Sequence, residues 1–271
     1  MKMQGKPGVV IWNLVAIPLL MFCLLASNAD LLQEIVTLLT NSNFFNLDIK
    51  DANILNTNAA SIASFGSIPC LLISGVVYDV VGRRKTIIGL LIIGAICTYL
   101  LPVSGNPPRD LFFIVLRVGL QISMVCIMGN TLINDYVVTE NRGRGSAIQN
   151  AGMTLGNIFS VSVMFSITKN GHNLYMMFGL LGTLQVIWAV MMFFVVAEPI
   201  GMYNEKEAKR AARKSFCGKV WSLMKLVFKA CKKDKALLIG IIASNIARNQ
   251  TMLMQVTYPQ WLQSFVVSGV L

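Results

Sequence analysis

Two arginines stand inside otherwise apolar stretches, and a guanidinium in such surroundings is the first chemistry this sequence offers. Arg117 is followed at steps of three or four by Gln121, Met124, Met128, Thr131 and Asp135, a spacing that places all six on one helical face. Arg248 is flanked by Asn245 and Asn249 in the middle of a second apolar stretch. A charge held in lipid is costly, so such a residue looks into a cavity or pairs with a partner. Arg117 has a third option, because it lies about six residues, or ~9 Å, from the outer end of its stretch and can snorkel. Arg248 is ~18 Å from the inner end and ~15 Å from the outer one, too deep for that. Two cationic groups suit an anionic or hydroxyl-rich solute.

Other chemistries have less to use. Asp30, Asp79, Asp135 and Glu198 all fall at the ends of apolar stretches, and no Asp or Glu occupies the middle of one, so no buried carboxylate is offered there for proton or sodium chemistry. The sequence has one histidine, His172, and six cysteines without a C-x-x-C pair, so no zinc, haem or other cofactor is expected. No nucleophile, base and orienting group converge by any spacing, and an enzyme is not expected.

The elements that must position these residues are legible in the composition. Of 271 residues, 55% are apolar and 13% charged, and mean hydropathy is +0.65. That is more apolar surface than a water-facing fold hides, so the natural solvent of much of the chain is lipid. Seven stretches approach the ~20 residues a spanning helix needs: Val9 to Asp30, Thr57 to Tyr78, Thr86 to Ser104, Leu111 to Asn134, Ser146 to Thr168, Leu174 to Ala197 and Ala236 to Tyr258. They lack the alternation of a membrane barrel and read as helices. The expected fold is an all-α polytopic membrane helix bundle.

Charge sets the orientation. With a cytoplasmic amino terminus, all but five of the 23 Lys and Arg residues fall in inside segments, a strong positive-inside pattern. The exceptions are Lys50, Arg109 and Lys169 in outside loops and the two arginines within spans. The net charge of +11 then points to a bilayer with an anionic inner leaflet as partner rather than to nucleic acid. Residues 1 to 29 also have the layout of a signal peptide, but Val9 to Leu25 is long for its apolar core and the charge balance works with it retained. The Asn249-Gln250-Thr251 glycosylation match lies within the seventh span and is a chance one. No cysteine falls in an outside loop, so no extracellular disulfide is expected.

The turn after the second span reads Gly75-Val-Val-Tyr-Asp79-Val-Val-Gly82-Arg83-Arg84-Lys85. Gly75 permits a close helix approach, Gly82 a tight turn, and the three bases hold the loop at the anionic surface. Asp79 is placed to meet a helix amino terminus or an arginine. The order G-x-x-x-D-x-x-G-R-R resembles the signature loop of the major facilitator superfamily, G-x-x-x-D-[RK]-x-G-[RK]-[RK], with Val80 where the family usually has a base. Between spans four and five, Glu140-Asn-Arg142-Gly143 with Ala147 is similar to the family's E-x-R-G-x-x-x-G segment. Gly152 and Gly156 then form G-x-x-x-G, which permits tight packing. Ala197-Glu198-Pro199 is similar to the family's ending of helix six.

The resemblance implies a transporter of a small polar or anionic solute working by alternating access. Family members typically have two six-helix halves with one substrate site between them. Residues 1–199 would supply the first half, 200–235 a basic cytoplasmic linker, and 236–271 the seventh helix and the start of a second bundle. The rest of that bundle would come from further sequence or another chain. Helices one, four and seven line the family's cavity, which implies that Asn13, Arg117, Gln121, Asn245 and Arg248 face the solute. The alternative is a non-transporting subunit or partner-binding module that keeps the half fold. Within the linker, Phe216, Val220, Leu223, Met224 and Val227 recur at helical spacing opposite lysines, the pattern of an amphipathic helix on the inner leaflet or of a solvated basic linker.

Overall fold

A computed structural model of the chain describes residues 15–22, 35–36, 38–105, 108–129, 141–159, 162, 174–196, 218, 221, 225, 229–236, 239–240 and 243. Five long helices form among them: α1 (Ile49–Val81), α2 (Arg83–Leu100), α3 (Asp110–Gly129), α4 (Arg142–Phe159) and α5 (Leu174–Val195). Residues 15–22 are also helical. Among the described residues there is no named strand, only an isolated bridge between Gly105 and Pro108.

Local chemistry accounts for the helix ends. Asp48 precedes α1 in an extended conformation and Asp51 lies in its first turn, where a negative charge favours the helix dipole. Gly82, at φ 104°, ends α1 and begins α2. Its N–H donates to the carbonyl of Tyr78 and its own carbonyl accepts from the N–H of Thr86, so one residue closes both helices. That conformation is open to glycine and strained for other residues, at about 1–3 kcal/mol. Gly82→Ala is therefore expected to lower unfolding stability by that amount, read from denaturant titrations of the detergent-solubilised protein, with helix content unchanged. After α2, Pro102 starts a short 3-10 turn to Ser104. The N–H of Arg109 then donates to the carbonyl of Ser104, and Asp110 opens α3.

Packing is not sequential. α2 packs along both α5 and α3, while α1 packs chiefly along α3. Pairs that touch across α1 and α3 rise together in number, Gly66 with Ile122 and then Ser74 with Cys126, and Phe45, just before α1, meets Phe113 near the start of α3. The two helices therefore run in the same direction. The segment before α1 is drawn into the bundle, with Phe44 on Tyr175 and Phe45 on Phe113 at centroid separations of 5.2 and 5.6 Å. A Cβ on Gly105 would meet Phe44 at 2.9 Å, so the α2–α3 turn rests directly on this segment.

The core holds Leu91, Phe113, Leu120, Phe178 and Leu181, yet the surface is apolar too, with Phe65, Leu111 and Phe194 each more than three-quarters exposed. Such a surface is at home in lipid rather than water. Among the described residues, three helical segments are long and apolar enough to cross a membrane: Arg83–Ser104, Asp110–Met128 and Leu174–Val195. They coincide with the expected third, fourth and sixth spans, and α1 and α4 overlap the second and fifth.

Two expectations are corrected. α1 begins at Ile49 rather than Thr57, because Lys50, Asp51 and Asn53 lower hydropathy without hindering helix formation. Ile35, Leu38 and Leu39, assigned to an outside loop, are helical and fully buried in the core. Their apolar run is interrupted by Gln33 and Glu34, which hid it from a search for continuous spans. Of the seventh span only positions 236, 239, 240 and 243 are described, and the five apolar positions of the proposed linker helix lie outside the described residues.

Candidate solute site and signature loop

Arg117 is positioned by α3, seven residues in from Asp110. It does not snorkel: its side chain is 0% exposed. Its Nη1 donates to Oε1 of Gln121, one turn on, at 3.0 Å, while Nε and Nη2 have no hydrogen-bond partner. Gln121 and Met124 are buried and Met128 half-buried, as one inward face requires. Thr131 and Asp135 of the same expected face lie outside the described residues, as do Asn13, Asn245 and Arg248. Arg117 and Gln121 are thus the two site residues that can be located, and they are bonded to each other.

Polar side chains on α1 were missed. Asn56 is 0% exposed, and neither its Oδ1 nor its Nδ2 has a partner; Oδ1 of half-buried Asn53 also lacks one. A buried amide without hydrogen bonds is expensive. The signal was available: Asn53 and Asn56 are one turn apart, and Asn56 shares its face with Ala52, Ala59 and Ala63, small residues that let a neighbour approach. A second polar seam joins α2, α3 and α5. Gln185 Nε2 donates to Thr98 Oγ1 at 3.4 Å, and that hydroxyl donates to the carbonyl of Gly94 at 2.8 Å. A Cβ on Gly94 would meet Gln185 Oε1 at 2.9 Å and Ser123 Oγ at 3.0 Å, so this glycine makes room for the seam.

The signature-loop residues are used locally. Arg83 lies over the ring of Tyr78, 5.4 Å from its centroid. Arg84 stacks on Phe193 at 4.7 Å and its Nη2 donates to the carbonyl of that residue. Phe193 is in the last turn of α5, where unpaired carbonyls and the helix dipole favour a cation. Arg84 thereby ties the α1–α2 turn to the end of α5. Among the described residues nothing lies within 4 Å of a Cβ built on Gly75, whereas a Cβ on Gly152 would run into the backbone of Pro18. Asp79 is within α1, and its side chain is outside the described set. Arg142 is exposed at the start of α4, and Glu140 is not described.

Apolar helices that carry apolar surface on both their inner and outer sides, around a buried arginine, define a multi-pass membrane protein of the all-α class. The chain matches the Major Facilitator Superfamily over residues 12–270, nearly its whole length, and belongs to that family. The family is one of secondary transporters rather than enzymes. A search of curated proteins finds no match to this chain.

Proposed function

We propose that this chain moves a small polar or anionic solute across a membrane by alternating access, with its amino terminus in the cytosol. The observation that carries the reading is Arg117: a guanidinium with no exposure, in an apolar helix, with Nε and Nη2 unpartnered. No packing need explains that arrangement, since a leucine would fill the space without the desolvation cost. A solute that accepts hydrogen bonds offsets that cost when it binds. Asn13, Gln121, Asn245 and Arg248 complete the proposed solute-facing set, with residues 1–199 as one bundle, 200–235 as linker and 236–271 opening the second. The turn containing Gly75, Asp79, Gly82, Arg83 and Arg84, with Glu140 and Arg142, forms the inner gate.

The test is uptake into proteoliposomes containing the full chain, using a panel of labelled sugars, carboxylates, amino acids and phosphate. One class is expected to enter, and Arg117→Ala and Arg248→Ala are each expected to slow it by at least about tenfold, the cost of one charge-assisted hydrogen bond. Uptake unchanged by Arg248→Ala would remove that residue from the path, and uptake unchanged by both would remove the proposed site.

A further inference from the structure

The unpartnered atoms around Arg117 specify more than a charge. A guanidinium has two kinds of edge, and Gln121 occupies Nη1. What remains is Nε with Nη2, whose two N–H bonds run parallel and match the two oxygens of a carboxylate. The bond to Gln121 leaves that edge turned away from Gln121.

Register brings a second group to the same level. Gly66 of α1 meets Ile122 of α3, so the Cα of Arg117, five residues before Ile122, is level with about residue 61 of the parallel α1. Side chains on a helix lean toward its amino end. From there an arginine reaches about five residues, or ~7 Å, along the axis, which is the level of Asn56. Asn56 is fully buried on the face formed with Ala52, Ala59 and Ala63, and its Nδ2 is a donor without a partner. Two buried side chains on adjacent helices thus hold three unused donor nitrogens at about one depth.

Charge narrows the class further. Arg117 is the one buried charged residue among the described residues. Its one positive charge neutralises one carboxylate, whereas a dianionic phosphate on the same edge keeps a negative charge that Arg117 alone does not compensate.

We infer that the Nε and Nη2 edge of Arg117, with the amide of Asn56, receives a carboxylate of an organic acid. The inference rests on the reading of the Arg117 face as the solute path, and names Asn56 as a specificity residue of that path. Asn56 Nδ2 supplies a third hydrogen bond to the carboxylate, and the acceptors Asn56 Oδ1 and Asn53 Oδ1 remain for hydroxyl or N–H groups elsewhere on the solute.

The experiment is calorimetric titration of the full chain in lipid nanodiscs with propionate and benzoate, with their amides propionamide and benzamide, and with inorganic phosphate and glucose. The acids are expected to bind at least about tenfold more tightly than the amides of the same shape, and more tightly than phosphate. Arg117→Lys, which keeps the charge and loses the fork, is expected to reduce that preference severalfold. Asn56→Ala is expected to weaken the acids by about three- to tenfold and leave the amides unchanged. Equal binding of acids and amides by the unaltered chain overturns the inference whatever the variants do, as does a preference for phosphate. If glucose or phosphate binds and loses affinity in Arg117→Lys, the solute path stands and the carboxylate assignment falls. If no solute's binding depends on Arg117, both fall together.

Discussion

Gly152→Ala is expected to cost the bundle about 3 kcal/mol or more, the upper end of what overpacking does to a close-packed interior. A Cβ at this position would lie 2.8 Å from the carbonyl carbon and 2.9 Å from the Cα of Pro18, and nearer still to its carbonyl oxygen. These are backbone atoms, and no rotamer change moves them aside. Either α4 or the segment at residues 15–22 must shift, and that segment packs Ala16, Ile17, Leu20 and Met21 into the core. Thermal unfolding in detergent measures the loss, with Gly179→Ala as control. Among the described residues nothing lies within 4 Å of a Cβ on Gly179, so there alanine is expected to stabilise α5 by up to about 1 kcal/mol through its helix propensity. Equal effects at the two glycines would show that α4 does not rest on Pro18.

Arg117→Met is expected to move stability and function in opposite directions. The native side chain has Nε and Nη2 buried without partners, and replacing such a charge with an apolar side chain of similar volume is typically neutral or stabilising by about 1–4 kcal/mol. Gln121 loses the donor it accepts from, which offsets part of that gain. Solute uptake by proteoliposomes is expected to fall to background, because the group proposed to hold the solute is gone. The pairing of a higher unfolding temperature with lost uptake marks a site kept for function at a cost in stability. A lower unfolding temperature would instead show that Arg117 is a structural tie.

Much of this was legible before any fold was drawn. Spacing alone put Arg117, Gln121 and Met124 on one face, since helix periodicity is a property of the chain. It also marked Gly82, because a positive φ between two helices leaves glycine as the residue that adopts it without strain. The G-x-x-x-G on α4 signalled a close approach but not what approaches. Pro18 is far away in sequence, and the contact exists because α4 and the 15–22 segment cross.

The amino-acid sequence by itself determined the solvent, the helical class and the position of Arg117 along its helix, because those follow from hydropathy and from a rise per residue that does not depend on neighbours. Tertiary structure alone decided which groups go unpaired. Asn56 reads as an ordinary polar residue near a span end until α1 packs along α3, and Arg84 reads as a surface base until the end of α5 is brought under it. Whether a polar group is satisfied depends on what the neighbouring helix places against it, and the packing order of α1, α2, α3 and α5 departs from their order along the chain.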